Sequence, residues 1–456
     1  MNTVYKASRY NLLSDDFNGD FLIANLLKTR FLKGSKKQGE EIRQLLNKEE
    51  IAEEEAREYP QLLEAGMLVP KTRNEYEIAN LRFNDLAFSK DMLDITIIPT
   101  DACNFDCVYC YQEKRHNQFI TKESEEKILK FLERNVKNYK KVQIGWFGGE
   151  PLLLKDRMCR FLEKAKEICN KYHVPLIGKV TSNGYLLDLE TFQKLLQYNV
   201  VHYQITIDGN RETHNQQRPH KTNSDSFDRI LQNLKNIAEN EKRYYRIALR
   251  VNITKNILNN INDYLDELAF FAENDHFQIH WQYVKDYGGE QVHSMTEERI
   301  FESNDFVDFI NLATKRGIGS LSYMFFGVGN GLCEAPRKYS YFIDHEAKLH
   351  KCTIALYQDD SRELNNIGYI NDQGVAVIDE EKEAVWLVRN TVDEECEECV
   401  YFPLCMAQTC PHERKIRNHK VCINEKDELI HYMRYLAKTP IFEEYKKTGE
   451  ENYACV

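Results

Sequence analysis

Leu93-Asp94-Ile95-Thr96-Ile97-Ile98-Pro99-Thr100-Asp101-Ala102-Cys103-Asn104-Phe105-Asp106-Cys107-Val108-Tyr109-Cys110 runs from an apolar, strand-like segment straight into three closely spaced cysteines. Cys103, Cys107 and Cys110 form a C-x3-C-x2-C pattern, with the aromatic Tyr109 just before the last. Three thiolates this close can hold three irons of a [4Fe–4S] cube and leave the fourth iron open for a small ligand. A structural zinc site would close on four ligands, in paired C-x2-C steps.

Beyond this segment strands and helices alternate. Strands are expected at Leu93–Pro99, Val142–Phe147, Leu176–Thr181, Val200–Ile207, Arg246–Ile253 and Phe277–Val284. Helices are expected at Lys122–Asn138, Leu152–Tyr172, Leu189–Gln197, Ser226–Asn240 and Ile261–Glu273. Six βα units imply a parallel α/β sheet, and such sheets bind ligands at the carboxyl ends of their strands. The cysteines follow the first strand, Gly148-Gly149-Glu150-Pro151 ends the second, Ser182-Asn183-Gly184 the third and Asp208-Gly209 the fourth. All four converge on one rim, where chance would scatter them.

The chain has 456 residues, 42% hydrophobic and 29% charged, the composition of a globular protein of several domains. No apolar run is long enough to span a membrane, and the N-terminus lacks a signal-peptide layout. A cytoplasmic protein without membrane association is expected. The net charge of −11 argues against a nucleic-acid scaffold. Thirteen cysteines in such a chain read as metal ligands rather than disulfides. Cys159 and Cys169 stand apart on a helix as ordinary core residues, and Cys455 stands alone.

The cysteine cluster after a strand, with Gly148-Gly149-Glu150-Pro151 downstream, resembles the radical S-adenosylmethionine (SAM) enzymes. The resemblance implies a partial (β/α)6 barrel and a [4Fe–4S] cluster on Cys103, Cys107 and Cys110. Its open iron would take the amino and carboxylate groups of SAM, which is cleaved to a 5′-deoxyadenosyl radical. Tyr109 would lay its ring near the adenine. Gly148 and Gly149 would expose backbone to the ligand, and Glu150 or carbonyls near Pro151 would accept from the SAM ammonium. Thr181-Ser182-Asn183-Gly184 and Thr206-Ile207-Asp208-Gly209 resemble the family's Thr-Asn-Gly and Ser-x-Asp-Gly strand ends, with an extra serine in the first and threonine for serine in the second. Ser182, Thr206 and Arg218 are the further SAM contacts this suggests, solvated turn residues being the alternative.

Seven later cysteines, Cys333, Cys352, Cys396, Cys399, Cys405, Cys410 and Cys422, resemble in their order the SPASM domain, the auxiliary-cluster extension of enzymes that modify peptides and proteins. Two departures stand out: Ala347 occupies a glycine position, and four residues rather than three separate Cys405 from Cys410. By family analogy Cys333, Cys352 and Cys410 would bind one auxiliary [4Fe–4S] cluster, and Cys396, Cys399, Cys405 and Cys422 another. With the first site this makes three clusters. The first auxiliary set is one cysteine short, with its fourth iron open to substrate or filled by another group, such as His412 or Cys455. Zinc is the competing occupant.

The first ninety residues read as strands Tyr5–Leu13 and Phe21–Leu27 around an Asn18-Gly19 turn, and helices at Gly39–Asn47, Lys48–Glu58 and Tyr59–Ala65. Short strands follow at Met67–Val69 and Glu75–Asn80, with a linker at Asn84–Lys90. This resembles a winged-helix-like module that docks the leader of a ribosomally made peptide, adding it as a strand to a sheet edge; a structural cap on the barrel is the alternative. The expected domains are thus 1–90 (this module), 91–310 (barrel), 311–425 (an irregular Fe–S domain) and 426–456 (a helix and tail).

The function this implies is a radical SAM peptide maturase that abstracts hydrogen from a precursor peptide and leaves a cross-link, foremost a cysteine thioether. A flavodoxin or ferredoxin would supply electrons. Two alternatives stand beside it. One is an anaerobic sulfatase-maturating enzyme, although the proton-accepting aspartate that follows the second auxiliary cysteine in that family is replaced by Thr353 here. The other is a zinc-bearing adaptor without catalysis.

Overall fold

The structure is a computed structural model that describes residues 3–16, 18–112, 116–258, 261–284, 309, 312–313, 316–318, 333–388, 392–407, 410–422, 429–430, 433–434, 436–437 and 443–444. Cys455 and most of the helix and tail expected at 426–456 lie outside these residues. The chain divides into two units: residues 1–87 with 321–333 and 389–456, and residues 88–320 with 334–388.

In the first unit the order is β1 (Tyr5–Ala7), β2 (Asn11–Asp15), β3 (Phe21–Asn25), β4 (Arg30–Gly34), α1 (Lys36–Leu46), α2 (Glu53–Arg57), α3 (Pro60–Glu64), β5 (Leu68–Pro70) and α4 (Glu75–Phe88). The β2–β3 hairpin forms at the expected turn, and β4 extends it into a meander. The short strand Glu443–Glu444 adds to β4 in parallel, while β1 pairs with β5. Phe21, Ile23, Leu32, Ile42, Leu45 and Leu62 bury a common core. Ser35 and Gln38 close a capping box that starts α1.

Four local expectations are corrected. The strand expected at Glu75–Asn80 and the linker at Asn84–Lys90 fall largely within α4, whose buried Glu75, Ala79, Phe83 and Ala87 repeat every four residues. Ser8 and Arg9 break the first expected strand, because the Glu75 carboxylate accepts from the Ser8 hydroxyl and the Arg9 N–H. The second helix starts late because Ile51 exchanges both backbone bonds with Tyr5, at 2.8 Å each.

The second unit holds β6 (Met92–Ile97), α5 (Lys122–Asn135), β7 (Lys141–Trp146), α6 (Lys155–Lys171), β8 (Leu176–Ser182), α7 (Leu189–Gln197), β9 (Val200–Thr206), α8 (Arg211–Gln217), α9 (Phe227–Asn240), β10 (Arg246–Ile253), α10 (Lys255–Leu258), α11 (Ile261–Ala272) and β11 (Phe277–Tyr283). Strands β6 to β11 lie side by side in chain order, all parallel, as the curved sheet of a partial barrel. Helices form where apolar faces recur behind a cap: Thr121 caps α5 and Asp188 caps α7. Cys159 and Cys169 are buried on α6.

Beyond β6 the same sheet continues. β12 (Ser340–Ile343) pairs in parallel with β6, and β13 (Lys348–His350), β14 (Asn366–Ile370) and β15 (Ala376–Ile378) follow antiparallel. Among the described residues, no helix is long and apolar enough to cross a membrane.

Candidate active site

Past β6 the chain turns into the cysteine loop, which is fastened on both sides. Asp101 accepts the N–H groups of His116 and Gln118, each at 2.7 Å. On the other side the segment leaving α8 acts as a strap. Asp106 and Val108 donate their N–H groups to the carbonyls of Pro219 and Gln217 at 3.0 Å, and Lys221 donates to that of Asn104 at 2.9 Å. The Phe105 and His220 rings meet edge to face at 5.3 Å, and Tyr185 stacks on His220 at 4.3 Å.

The loop brings Cys103, Cys107 and Cys110 to one cavity of about 230 Å³, which Tyr109, Gly148, Gly149, Ser182, Thr206 and Arg218 also line. The four strand-end motifs thus meet where the sequence placed them. Burial pushes the Cys107 thiol up to about 12; Arg218 opposes this, and Cys110 and Cys103 add to it. Glu150 and Pro151 are not among the lining residues.

Gly148 has a φ of +125°, and a Cβ there would stand 2.4 Å from the Thr100 carbonyl oxygen. A Cβ on Gly149 would meet the Ala102 carbonyl at 2.0 Å. The two glycines therefore let the backbone after β7 lie directly on the turn before Cys103. Gly149 donates its N–H to Thr100 at 3.1 Å and Glu150 to Ala102 at 2.8 Å. The Glu150 carboxylate faces inward. One oxygen accepts from the Leu152 N–H (3.0 Å) and the Ser182 hydroxyl (2.8 Å), the other from the Asn183 N–H (2.8 Å). Burial raises its pKa, with these bonds and Arg218 opposing. Instead of offering a free acceptor to an ammonium group, Glu150 braces β7 against β8.

Tyr109 carries its hydroxyl into a buried polar group that the motif reading missed. It donates to Asp208 Oδ2 and accepts from Arg218 Nη1 (2.7 Å) and Asn252 Nδ2 (3.0 Å). Asp208 Oδ1 accepts the Asn252 N–H at 2.7 Å, and the Asp208 N–H donates to His214 Nδ1 at 3.1 Å. Burial raises the Asp208 pKa against the pull of Arg218, and it lowers that of His214 well below the usual value, which keeps the ring neutral. Asp208 and Asn183 stood inside the quoted turn motifs. Asn252 gave only the faint signal of an amide in the apolar run of β10.

In the C-terminal cysteine region, Ala347 has a φ of +64°, which explains the glycine this position resembles; alanine holds the turn at a cost of about 1 kcal/mol. Asn365, fully buried, clamps the backbone at Cys352. Its Oδ1 accepts from the Lys351 and Cys352 N–H groups (3.1 and 2.8 Å), and its Nδ2 donates to the Cys352 carbonyl (2.7 Å). In the other unit Cys399 donates its N–H to the Cys396 carbonyl at 3.2 Å, and Arg414 reaches the Cys396 sulfur at 3.6 Å. Burial pushes the Cys405 thiol up to about 11, with Cys399 and Cys396 close enough to add to the shift. Lys420 pairs with Glu395 (2.7 Å) and Asp393 (3.4 Å), bringing the segment before Cys422 to the same place. Met406 and Ala407 both take left-handed backbone where the extra residue falls. His412 is buried beside Glu413 at 3.4 Å.

No disulfide joins any of the described cysteines. Among the described residues no three His, Cys, Asp or Glu side chains are gathered as a single metal ion would need. A four-iron cube gives each thiolate its own iron and so spaces its ligands more widely. Three thiols around one cavity fit that demand. Arg218 fits an anionic ligand beside them: it is 6% exposed, lines the cavity, and its Nε has no partner among the described residues.

Residues 97–250 match the radical SAM superfamily. The radical SAM cyclopropyl synthase TigE of Paramaledivibacter caminithermalis is 24% identical over 233 residues, 47% of each chain. A cysteine-type anaerobic sulfatase-maturating enzyme of Clostridium perfringens is 22% identical over 341 residues, 69% of this chain and 87% of that protein. The chain spans about half the length of the first curated relatives it matches. In fold it is similar to native anSMEcpe solved with bound AdoMet and the Kp18Cys peptide, with a TM-score of 0.55 at 19% identity, over 76% of this chain and 96% of that one. Residues 97–250 are therefore a radical SAM domain, in a chain whose relatives include a radical SAM cyclopropyl synthase and a cysteine-type anaerobic sulfatase-maturating enzyme.

Proposed function

We propose that the protein is a radical SAM peptide maturase that abstracts a hydrogen atom from a precursor peptide and installs a cross-link, foremost a thioether to a substrate cysteine. The observation that carries this reading is the convergence of Cys103, Cys107, Cys110 and the buried Arg218 on one cavity at the strand ends. A [4Fe–4S] cluster and SAM bound there would supply a 5′-deoxyadenosyl radical through one-electron cleavage. The protein's own work is to bind and orient. The strap at 217–221 holds the cysteine loop, Arg218 offers a cation to a carboxylate, and the 148–149 backbone closes the wall.

Two auxiliary clusters, on Cys333/Cys352/Cys410 and on Cys396/Cys399/Cys405/Cys422, belong to the proposal. So do leader docking by residues 1–90, and a flavodoxin or ferredoxin as electron donor. The domains proposed are those expected from the sequence, with 91–310 as the barrel and 311–425 as the auxiliary-cluster segment. The formylglycine-forming reading is favoured by the 87% coverage of the Clostridium perfringens relative. Against it, Thr353 follows Cys352 where that family places its proton-accepting aspartate. A threonine hydroxyl does not replace a carboxylate base. The test is anaerobic reconstitution followed by incubation with SAM, dithionite and a cysteine-bearing precursor peptide. 5′-Deoxyadenosine together with a two-hydrogen mass loss that blocks thiol alkylation supports the thioether. An aldehyde that reacts with hydrazine supports formylglycine instead. No cleavage of SAM overturns both.

A further inference from the structure

The Tyr109 phenol has one hydrogen to donate and two lone pairs to accept with, and all three positions are filled. It donates to Asp208 and accepts from Arg218 and Asn252, at 2.7 and 3.0 Å for the latter two. The consequence lies in what this keeps apart. Arg218 and Asp208 are both buried, at 6% and 0% exposure, and carry opposite charges. Buried partners of this kind ordinarily close into a direct, forked pair. Here their nearest charged atoms stand 3.9 Å apart, with the phenol oxygen bonded to both. The Arg218 Nε has no partner among the described residues, and the guanidinium lies 5.7 Å from the centre of the Phe105 ring, on the wall of the cavity.

We infer that the Tyr109 hydroxyl is a spacer that holds Arg218 away from Asp208, so that the guanidinium stays available to a carboxylate-bearing ligand in the cavity. This rests on the reading of the cavity as the SAM site, and gives Tyr109 a duty that its ring alone would not perform. It is a positioning residue for Arg218. With the hydroxyl gone, the Asp208 carboxylate, 3.9 Å away, is left without the phenol between them, and Arg218 turns to it. Asn252 limits the alternative, because its backbone N–H and side-chain amide fix Asp208 and the phenol from the other side.

The experiment compares two probes on reconstituted, full-length protein: SAM, and 5′-methylthioadenosine, which keeps the adenine and ribose but lacks the amino-carboxylate arm. Tyr109→Phe keeps the ring. It should weaken equilibrium binding of SAM about ten-fold, the scale of one lost hydrogen bond to a charged group, and leave 5′-methylthioadenosine within about two-fold. Iron content should not change. In an Asp208→Asn background the carboxylate beside the phenol is gone, so the same Tyr109→Phe step should cost SAM binding little. Equal losses for the two probes, or a ten-fold loss that persists with Asp208→Asn, would overturn the spacer. Should wild-type protein bind neither probe, the SAM-site reading itself fails; should it bind SAM and Tyr109→Phe bind as well, only the spacer fails.

Discussion

The hydroxyl of Ser182 donates to the carboxylate of Glu150 at 2.8 Å, joining the end of β8 to the residue that follows the two glycines beyond β7. With the Asn183 and Leu152 N–H groups also pointing at it, the carboxylate receives three donors. A carboxamide has one oxygen and would turn its NH2 toward one of these donors. Glu150→Gln should therefore lower stability by about 1–3 kcal/mol, the cost of a buried donor left unmet. Urea unfolding of the two proteins measures this; an unchanged midpoint would remove the brace.

That brace marks the limit of what the sequence disclosed. The parallel strands were readable because apolar residues recur along each short segment between turns; β10 at Arg246–Ile253 and α7 at Leu189–Gln197 fall where expected. The first three cysteines were readable as a group because their spacing keeps them on one loop, which the fold brings to one cavity. The direction of the Glu150 carboxylate was not, since a tetrapeptide motif carries no record of its neighbours. Tyr109, Asp208 and Asn252 meet across long loops, and only the sheet order brings them together. The α4 helix was mistaken because its buried stripe contains Glu75, a charge whose partners, Ser8 and Arg9, lie at the other end of the module.

The cluster count is a direct measurement. Anaerobically reconstituted protein should carry about twelve irons per chain, and the triple change of Cys103, Cys107 and Cys110 to Ala about eight, with no SAM cleavage. A wild-type value near four would leave the first cluster standing and the auxiliary clusters without support.

Removing residues 1–87 should cost more than peptide docking. Within that unit the Tyr76 and Phe402 rings meet at 5.0 Å, Arg9 pairs with Glu398 at 2.8 Å, and Arg434 donates to Ser14 at 3.1 Å. Phe402 is fully buried and lies between Cys399 and Cys405. A chain begun at residue 88 should thus hold only about four irons. Leader docking is better tested on the full chain. Excess isolated leader should inhibit modification of a leader-bearing precursor while uncoupled SAM cleavage continues.

Glu241 gives a pH dependence away from the cysteines. The Arg243 side chain, with the backbone N–H groups of Arg243 and Lys242, lowers its pKa from 4.5 to about 2. A carboxyl depressed on folding stabilises above its unfolded pKa, and that contribution is lost as the pH falls through the folded value. Wild type should exceed Glu241→Gln in urea midpoint at pH 5, and the gap should shrink as the pH drops from 4.5 toward about 2. A gap that stays constant over this window would mean that the charge of Glu241 is not what stabilises the end of α9.

Asn365 offers a way to separate the radical step from what happens to the peptide. Its side chain makes three hydrogen bonds to the backbone of Lys351 and Cys352, and it is wholly buried. The backbone that carries the Cys352 sulfur is therefore held by an amide that does not line the cavity of Cys103, Cys107 and Cys110. Asn365→Ala leaves two N–H groups and a carbonyl unmet, and the segment should relax. Under the proposal that Cys352 shares a cluster whose open iron holds a substrate thiolate, that cluster should be lost and the protein should retain about eight irons. Uncoupled SAM cleavage should stay close to wild type, because the strap at 217–221 and the Arg218 site are untouched. Peptide modification should fall by at least about ten-fold, since the thiolate would lose the metal that keeps it deprotonated and close to the radical. Full iron with full modification would show that Cys352 does not depend on this clamp. Full iron with lost modification would shift the role of the segment from cluster ligation to peptide binding. Only the combined loss of four irons and of cross-linking, with SAM cleavage kept, is what a substrate-facing auxiliary cluster requires.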